Sequence, residues 1–166
     1  MAAARARAAR RGVERLTPAV AAAKRAGVEF RLHEYEGIEL GEGDYAAAVA
    51  TAVGRPAEQL FKTLVASVDG RLEVFVVPAD RQLDLRAVGK RTTLASRADA
   101  ERATGYVVGG ISPLGQRRRL PTTIDRSALR WETILVSAGK RGLQIELAPN
   151  DLVRLTGANV AVVAAA

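Results

Sequence analysis

The segment LFKTLVASVDGRLEVFVVP, residues 60–78, constrains the fold of this chain more than any other stretch. Two runs rich in β-branched and other apolar residues flank Asp69-Gly70, a dipeptide that favours the tight turn of a β-hairpin. In the first run, apolar residues occur at both alternating sets of positions, which indicates a strand covered on both faces. The segment therefore predicts a hairpin within a barrel or a two-layer fold.

Turn and capping signals divide the rest of the chain into short elements. A helix is predicted after Thr17-Pro18, where the hydroxyl caps the first turn, and it ends at Gly27. Four more helices are predicted at residues 45–53, 84–91, 97–104 and 150–157, the first three with Asp44, Asp84 and Ser96 as caps. Further strands are predicted at residues 28–35, 106–110, 131–138, 143–149 and 159–164. Strands that are mostly linked by hairpins and interrupted by short helices favour an α+β fold with a mixed or antiparallel sheet.

Length and composition exclude several classes of protein. The 166 residues are enough for one domain that needs neither a disulfide nor a metal for stability. The chain has no cysteine and one histidine, His33, so a zinc site built from these residues is excluded, whereas carboxylates alone would suit magnesium or calcium. His33 itself is expected to be a half-exposed strand residue. No apolar run approaches the roughly 20 residues needed to span a bilayer.

The positive charge is concentrated at the start of the chain. Five arginines and one glutamate give the first sixteen residues a charge of +4, out of +7 for the whole chain. We interpret residues 1–16 as a basic extension and residues 17–166 as a single domain. The extension is an arm that contacts nucleic acid, a targeting peptide, or a segment without a role. The modestly basic remainder is compatible with partners that carry phosphate.

Lys62 is the most informative single residue. It shares the alternation of Leu60, Leu64 and Ala66, so it belongs to an apolar set of positions in the predicted strand. A lysine in such a place either extends its ammonium to the edge of the sheet or points it into a pocket.

The stretch GGISPLGQRRRLPT, residues 109–122, is unsuited to both helix and strand. Its glycines would expose peptide N–H groups, which a carbonyl or phosphate could approach without an intervening side chain. That arrangement is typical of an oxyanion hole. The alternative is an ordinary surface loop rich in turn residues, with the three arginines as a solvated face.

The sequence offers no evident protein nucleophile. Ser137 precedes a glycine-flanked turn at residues 139–142, but no Ser or Thr follows the lysine there, so this is not a Walker motif. Neither does GISPL match the G-x-S-x-G nucleophile elbow. The glycines and lysines suit an anionic or ester ligand, and if the chain is an enzyme its nucleophile is expected to come from outside the protein.

Four segments of the chain resemble one known family. These are FKTL at residues 61–64, RQLDL at 81–85, TGYVVGGISPLGQRRRLPTTID at 104–125 and VSAGKRGLQIEL at 136–147, and they are similar to the YbaK/EbsC family, specifically its Cys-tRNA(Pro) deacylases. The resemblance extends from about Thr17 to near the C-terminus. It implies an α+β fold with a central mixed, barrel-like sheet surrounded by short helices, and a cytoplasmic hydrolase that removes a wrong amino acid from tRNA.

The resemblance also implies the site residues. Lys62, Gly109 and Ser137 match the family's lysine, first glycine and serine, and are expected to be catalytic. The expected substrate-binding residues are Tyr35, Tyr45, Thr63, Gly110, Ile111 and Ser112. The expected nucleic-acid-binding residues are Arg117, Arg118, Arg119, Lys140 and Arg141. Lys62 would bind the terminal nucleotide, Gly109 with Gly110 the reacting carbonyl, and Ser137 the aminoacyl group. No metal and no cofactor is implied.

The family's chemistry would explain the missing nucleophile. The thiol of the mischarged cysteine is thought to attack its own ester, forming a thiolactone and releasing tRNA. The partners implied are the acceptor end of mischarged tRNA and prolyl-tRNA synthetase. Two alternatives stay open: deacylation of Ala- or Ser-tRNA by water, and a non-catalytic module that binds tRNA with strong salt dependence.

Three positions depart from the family pattern. Ala138 replaces a typical glycine, which would make an amide less accessible, and Tyr45 replaces a frequent phenylalanine. Gln144 replaces a common aspartate, which removes a charge near the expected pocket. Each departure is expected to influence which amino acid is removed.

Overall fold

The computed structural model of the protein describes residues 17–38 and 45–165. The predictions for residues 1–16 and for the Asp44 cap lie outside the described residues. Within them, no helix is long and apolar enough to cross a membrane.

The described chain forms five short α-helices and ten strands. The helices are α1 (Pro18–Ala26), α2 (Tyr45–Val53), α3 (Leu85–Val88), α4 (Arg97–Thr104) and α5 (Pro149–Thr156), with 3-10 turns at Ala57–Gln59 and Arg126–Arg130. The strands are β1 (Phe30–Glu34), β2 (Phe61–Val68), β3 (Arg71–Pro78), β4 (Gln82–Leu83), β5 (Thr92–Leu94), β6 (Thr122–Asp125), β7 (Ile134–Ser137), β8 (Leu143–Leu147), β9 (Asn159–Ala161) and β10 (Ala164–Ala165).

The strands form three sheets, and the expected α+β fold is confirmed. The largest has the order β5-β2-β3-β6-β9, with antiparallel pairing of β2 to β3 and β5 and parallel pairing of β6 to β3 and β9. The second is antiparallel in the order β1-β8-β7, and β10 pairs with β4 in the third. Among the described residues the first two sheets share one isolated bridge, Leu60 to Leu135, so the strands do not close into a barrel.

The central hairpin is formed as predicted. Asp69 and Gly70 have φ angles of 51° and 82°, the left-handed values that a type I′ turn requires at both positions. Phe61 and Val65 pack into the largest core cluster, whereas Ala66 belongs to a second cluster on the other face of β2. The prediction that both faces of this strand are covered is confirmed.

Three predicted helix caps are also confirmed. Thr17 Oγ1 accepts a hydrogen bond from the Val20 N–H at 3.1 Å. Asp84 and Ser96 accept equivalent bonds from the third residue beyond them, at 3.2 and 3.1 Å. These side chains satisfy N–H groups that a helix start leaves without a partner.

Two predicted strands differ in the structure. Residues 106–110 form a turn, because Gly109 takes a left-handed φ of 92° and the Gly110 N–H donates to the Val107 carbonyl at 2.9 Å. The strand predicted at residues 159–164 is split into β9 and β10. The Asp125 carboxylate accepts from the N–H groups of Val163 and Ala164, at 2.9 Å each, and β10 then pairs with β4 in a different sheet from β9.

The glycine-rich stretch packs closely against the rest of the chain. A Cβ on Gly115, at φ 67°, would lie 2.6 Å from the carbonyl carbon and oxygen of Pro18 at the start of α1. One residue earlier, the Leu114 carbonyl accepts a 2.7 Å hydrogen bond from the buried Tyr106 hydroxyl. Gly115 is therefore needed for backbone contact as well as for its dihedral angle.

We predict that Gly115→Ala destabilises the protein more than Gly27→Ala. Both glycines have left-handed φ angles near 70°, but a Cβ at Gly27 would meet nothing within 4 Å. Each change costs about 1–2 kcal/mol for the left-handed backbone, and Gly115→Ala adds about 1–3 kcal/mol for overpacking. Denaturant unfolding of both variants measures the difference, and equal losses would contradict the packing role of Gly115.

Candidate active site

A cavity of about 590 Å³ lies in the gap between the two larger sheets. The edge of β2 is open here, because β5 pairs with it only along Ala66–Val68. The walls come from β2, the ends of β5, β7 and β8, helices α2 and α4, and the residues Val108, Gly109 and Ile111. They are largely apolar, with Val49, Phe61 and Ile111 among them, and the volume suits a small ligand.

The structure brings together some of the expected site residues and separates others. Those that line the cavity are Tyr45, Lys62, Thr63, Gly109, Ile111 and Ser137. Those that lie outside its lining are Tyr35, Gly110, Ser112, Arg117, Arg118, Arg119, Lys140 and Arg141. All three residues that were expected to be catalytic therefore lie at one cavity.

The sequence analysis singled out Lys62, and this cationic residue lines the cavity. Its side chain is half-buried. Burial lowers the pKa of Lys62 below that of an ordinary lysine, and the carboxylate of Asp80 offsets part of this effect. The partly desolvated ammonium attracts an anionic or polar group more strongly than a fully hydrated one does.

Thr63 follows Lys62 and contributes a polar atom that lacks a protein partner. Its Oγ1 is buried and makes no hydrogen bond within the part of the chain that the structure describes. A bound ligand or water would satisfy this hydroxyl, because a buried polar group without a partner is costly.

Gly109 and Gly110 have different surroundings. The structure gives the Gly109 N–H no hydrogen-bond partner among the described residues, and Gly109 lines the cavity. The Gly110 N–H already donates to Val107, and a Cβ on Gly110 would lie 2.8 Å from the Cα of Lys140. Of these two glycines, only Gly109 thus offers its amide to a ligand. Gly110, which lacks a side chain, instead allows the 108–111 turn to pack against the β7–β8 turn.

Ser137 and Gln144 face each other across the β7–β8 pair and both line the cavity. Ser137 Oγ accepts a hydrogen bond from the Gly139 N–H at 3.2 Å, which leaves the hydroxyl proton available to a ligand. The neighbouring Ala138, which replaces the family's glycine, is buried, and its N–H donates to the Leu143 carbonyl at 3.0 Å. That amide is therefore occupied within the hairpin.

The two tyrosines form a pair at one end of the cavity. Their hydroxyl oxygens are 3.2 Å apart, and the Gln144 amide donates to Tyr35 at 3.4 Å. Burial, followed by the hydrogen bond with Tyr35, raises the pKa of Tyr45 well above that of an ordinary tyrosine. Tyr45 is therefore a neutral hydrogen-bonding group, and its hydroxyl is hydrogen-bonded to that of Tyr35.

The arginines of the glycine-rich stretch do not point to one site. The backbone N–H groups of Arg117 and Arg118 donate to the last turn of α4, and the guanidinium of Arg119 lies near Gly157. All three side chains are exposed. The structure thus gives no common ligand position for this charge run.

Sequence reasoning missed two features of the site. Arg97, the first residue of α4, lines the cavity and forms a 3.5 Å ion pair with Glu101. Glu146 is buried behind the cavity, two residues beyond Gln144 on β8. No local motif marks either residue, although Glu146 stands out as the carboxylate of a buried strand, LQIEL.

Glu146 is the centre of a buried polar network. Its Oε1 lies 2.7 Å from His33 Nε2 and 3.2 Å from Arg55, and its Oε2 accepts from the Thr133 hydroxyl at 2.6 Å. Burial raises the pKa of Glu146, but the bonds from Thr133 and His33 and the charge of Arg55 outweigh burial and lower it overall. The ionised carboxylate joins β1, β8 and the residues around them.

The metal-ligating residue types are dispersed. Among residues 17–38 and 45–165, no group of three or more histidine, aspartate or glutamate side chains could hold a metal ion. The described lining of the cavity thus offers the ammonium of Lys62, the guanidinium of Arg97, one open amide, hydroxyl groups and an uncharged carboxamide.

Comparison with known proteins places this cavity in a family context. The family model described as the aminoacyl-tRNA editing domain matches residues 42–155, which include all of the described cavity-lining residues. The chain belongs to the aminoacyl-tRNA editing domain family. This confirms the resemblance noted in the sequence and the expected class of enzyme, an aminoacyl-tRNA deacylase.

Individual relatives agree with this assignment. A curated Enterococcus faecalis protein, "Putative Cys-tRNA(Pro)/Cys-tRNA(Cys) deacylase EbsC", is 38% identical over 123 residues, which cover 70% of this chain and 74% of the relative. A solved structure described as a "putative trans-editing enzyme for prolyl tRNA synthetase" has a TM-score of 0.73 and 26% identity, covering 91% and 99% of the two chains. A structure from work on epitope grafting onto scaffold proteins has a TM-score of 0.78 and 25% identity, covering 90% and 96%.

We predict that Thr133→Val destabilises the protein in a pH-dependent way. The change removes a hydrogen bond to ionised Glu146, at a cost of about 1–3 kcal/mol near neutral pH. Because the folded-state pKa of Glu146 is lowered, its contribution is present above the unfolded-state pKa of about 4.3 and is lost as pH falls through the folded-state value. Urea unfolding at several pH values measures this, with the exposed Thr93→Val as control. If the loss in unfolding free energy caused by Thr133→Val stayed the same at acidic pH, the role of the ionised carboxylate would be contradicted.

Proposed function

We propose that this protein removes cysteine from mischarged tRNA(Pro), with the thiol of the substrate as nucleophile. The observation that carries the proposal is a cavity with an ammonium and an open amide but no nucleophile with an adjacent base among its described lining residues. The names of the curated relative and of the trans-editing structure support the choice of substrate.

In the proposed reaction, the cysteine sulfur attacks the carbonyl carbon of its own ester. An S–C bond forms, the C–O bond to the terminal ribose breaks, and the thiol proton passes to the departing ribose oxygen. The products are a thiolactone, which water then hydrolyses, and free tRNA. Because the thiol is tethered to the carbonyl, the attack is intramolecular, and holding the thiol in an attacking geometry can contribute up to about 7–11 kcal/mol.

Three cavity residues have roles in this reaction. The half-buried ammonium of Lys62 binds the phosphate or hydroxyl groups of the terminal nucleotide. The open N–H of Gly109 donates to the carbonyl oxygen as negative charge develops on it. The Ser137 hydroxyl orients the aminoacyl group. Gly110, whose N–H is already bonded, has a packing role instead.

Chemical reactivity would add to the selectivity of the cavity. Apolar walls distinguish cysteine from a similarly sized amino acid by only about 1–3 kcal/mol. Serine would fit the same space but attack poorly, and alanine has no nucleophile. Rapid hydrolysis of alanine would therefore indicate the alternative, in which a bound water is the nucleophile.

We predict that single-turnover deacylation of Cys-tRNA(Pro) is faster than that of Ala- and Ser-tRNA(Pro), and that Lys62→Ala slows it by about 10²-fold, as expected for a misplaced substrate. The loss arises because the terminal nucleotide is no longer held in place. Quantification of remaining aminoacyl-tRNA after rapid mixing gives the rates, with the exposed Lys90→Ala as matched control.

Other outcomes of this experiment would favour the alternatives. Removal of alanine as fast as cysteine would exclude the thiol as the required nucleophile. Binding of all three tRNAs without turnover, with affinity that falls steeply with salt, would indicate a non-catalytic tRNA-binding module. Equal deacylation rates for Lys62→Ala and Lys90→Ala would show that Lys62 does not contribute to the reaction.

We predict that Asp80→Asn shifts the alkaline limb of the pH–rate profile to lower pH. The Asp80 carboxylate raises the pKa of Lys62, so its removal lets the ammonium lose its proton at lower pH. Lys62→Arg moves the limb to higher pH, because guanidinium keeps its charge. Rates from neutral to alkaline pH, corrected for spontaneous ester hydrolysis, measure the shift, with the exposed Asp69→Asn as control. Identical profiles for the two aspartate variants would contradict a charged Lys62.

A further inference from the structure

The peptide unit between Val108 and Gly109 is held on its carbonyl side by Arg141. The Val108 carbonyl accepts two hydrogen bonds from one guanidinium, from Arg141 Nε at 3.1 Å and from a terminal nitrogen at 2.9 Å. The Val108 N–H, one peptide earlier, donates to Glu101 Oε2 at 2.8 Å. Side chains from the β7–β8 turn and from α4 thus fix the residue that precedes Gly109.

This arrangement determines where the Gly109 N–H points. In a trans peptide the C=O and N–H bonds of one unit point in opposite directions, and the unit is planar. Because Arg141 holds the carbonyl, the Gly109 N–H is directed away from Arg141, and Gly109 lines the cavity. Rotation of the peptide by 180° would break both guanidinium bonds.

The guanidinium also changes the strength of the amide. A charged donor on a carbonyl withdraws electron density through the peptide, and hydrogen bonds in such a chain strengthen one another. The Gly109 N–H therefore becomes a better donor to a developing oxyanion than an isolated glycine amide.

We propose that Arg141 is a positioning residue that acts through the Val108–Gly109 peptide, orienting and polarising the Gly109 N–H toward the substrate carbonyl. This role rests on the proposed function and replaces the RNA contact that the sequence indicated for Arg141. It differs from a structural brace alone, because loss of Arg141 would weaken transition-state stabilisation without weakening the binding of tRNA.

The backbone contacts around this peptide do not depend on the guanidinium. Gly110 packs against the backbone of Lys140 and Arg141, and the Gly142 carbonyl accepts from the Tyr35 N–H at 3.0 Å. Arg141 variants are therefore expected to keep the turn in place while the peptide loses its charged partner.

The test compares Arg141→Gln and Arg141→Lys with Arg71→Gln, an exposed arginine on β3. Single-turnover rates at saturating enzyme are expected to fall about tenfold or more in both Arg141 variants. This decrease is smaller than the roughly 10²–10³-fold loss of rate that follows complete removal of an oxyanion donor. The tRNA Kd and its salt dependence are expected to match those of Arg71→Gln. Added guanidinium ion, but not sodium at equal ionic strength, is expected to restore part of the rate in Arg141→Gln.

An NMR measurement tests the peptide independently of activity. The ¹⁵N and ¹H shifts of the Gly109 amide are expected to move in both Arg141 variants and to stay unchanged in Arg71→Gln. An unmoved Gly109 resonance would overturn the proposal even if the wild-type protein deacylates tRNA. If the wild-type protein hydrolyses no aminoacyl-tRNA, the proposed function fails, whereas the resonance still reports on the Arg141 interaction.

The opposite kinetic pattern would also overturn the proposal. If Arg141 binds RNA phosphate, its variants weaken tRNA affinity, reduce the salt slope by about one, and leave the rate at saturation unchanged. Lys140→Ala, which removes the adjacent exposed charge, shows the size of a purely electrostatic effect at this turn.

Discussion

The structure depends on the incomplete strand pairing between its two larger sheets along the edge of β2. Among the described residues these sheets share one bridge, at Leu60 just before β2, and β5 pairs with the same edge only from Ala66 onward. The strand edge between these two points therefore lacks a strand partner within the described chain. An unpaired strand edge in the interior must be covered. The 108–111 turn, α2 and the start of α4 surround it, and the space that remains is the cavity. The site thus results from a barrel that fails to close.

Backbone contact, more than side-chain contact, fixes the turn beside that cavity. Gly110 lies against the backbone of Lys140, and Gly115 against that of Pro18, at distances that leave no room for a Cβ. Backbone atoms have few alternative positions, so such contacts define the turn more tightly than flexible side chains would. The glycines of this stretch therefore serve two purposes. Gly110 and Gly115 hold the turn in place, and Gly109 presents an amide to the cavity.

The sequence predicted what local chemistry determines. The turn at Asp69-Gly70 and the caps at Thr17, Asp84 and Ser96 depend on residues within a few positions, and they were identified correctly. Strand β6 was missed because its partners β3 and β9 are distant in the chain and pair with it in parallel. The resemblance to a known family supplied the cavity residues, which no spacing rule would have joined. Arg141 was expected from the family resemblance to bind nucleic acid, and its hydrogen bonds to the Val108 carbonyl were not foreseen, because the two residues are 33 positions apart.

The uncharged carboxamide of Gln144 is consistent with a reaction that builds negative charge inside the cavity. As the thiol attacks, charge develops first on sulfur and then on the carbonyl oxygen, and apolar walls increase the effect of every nearby charge. The neutral amide of Gln144 adds no negative charge of its own beside these two atoms. In the proposed reaction the Gly109 amide stabilises the charge on the carbonyl oxygen, while Lys62 holds the terminal nucleotide, and the lowered pKa of Lys62 limits this hold at high pH. The protonation state of Lys62 therefore limits the proposed chemistry at high pH, whereas the carboxamide of Gln144 keeps its neutral form throughout.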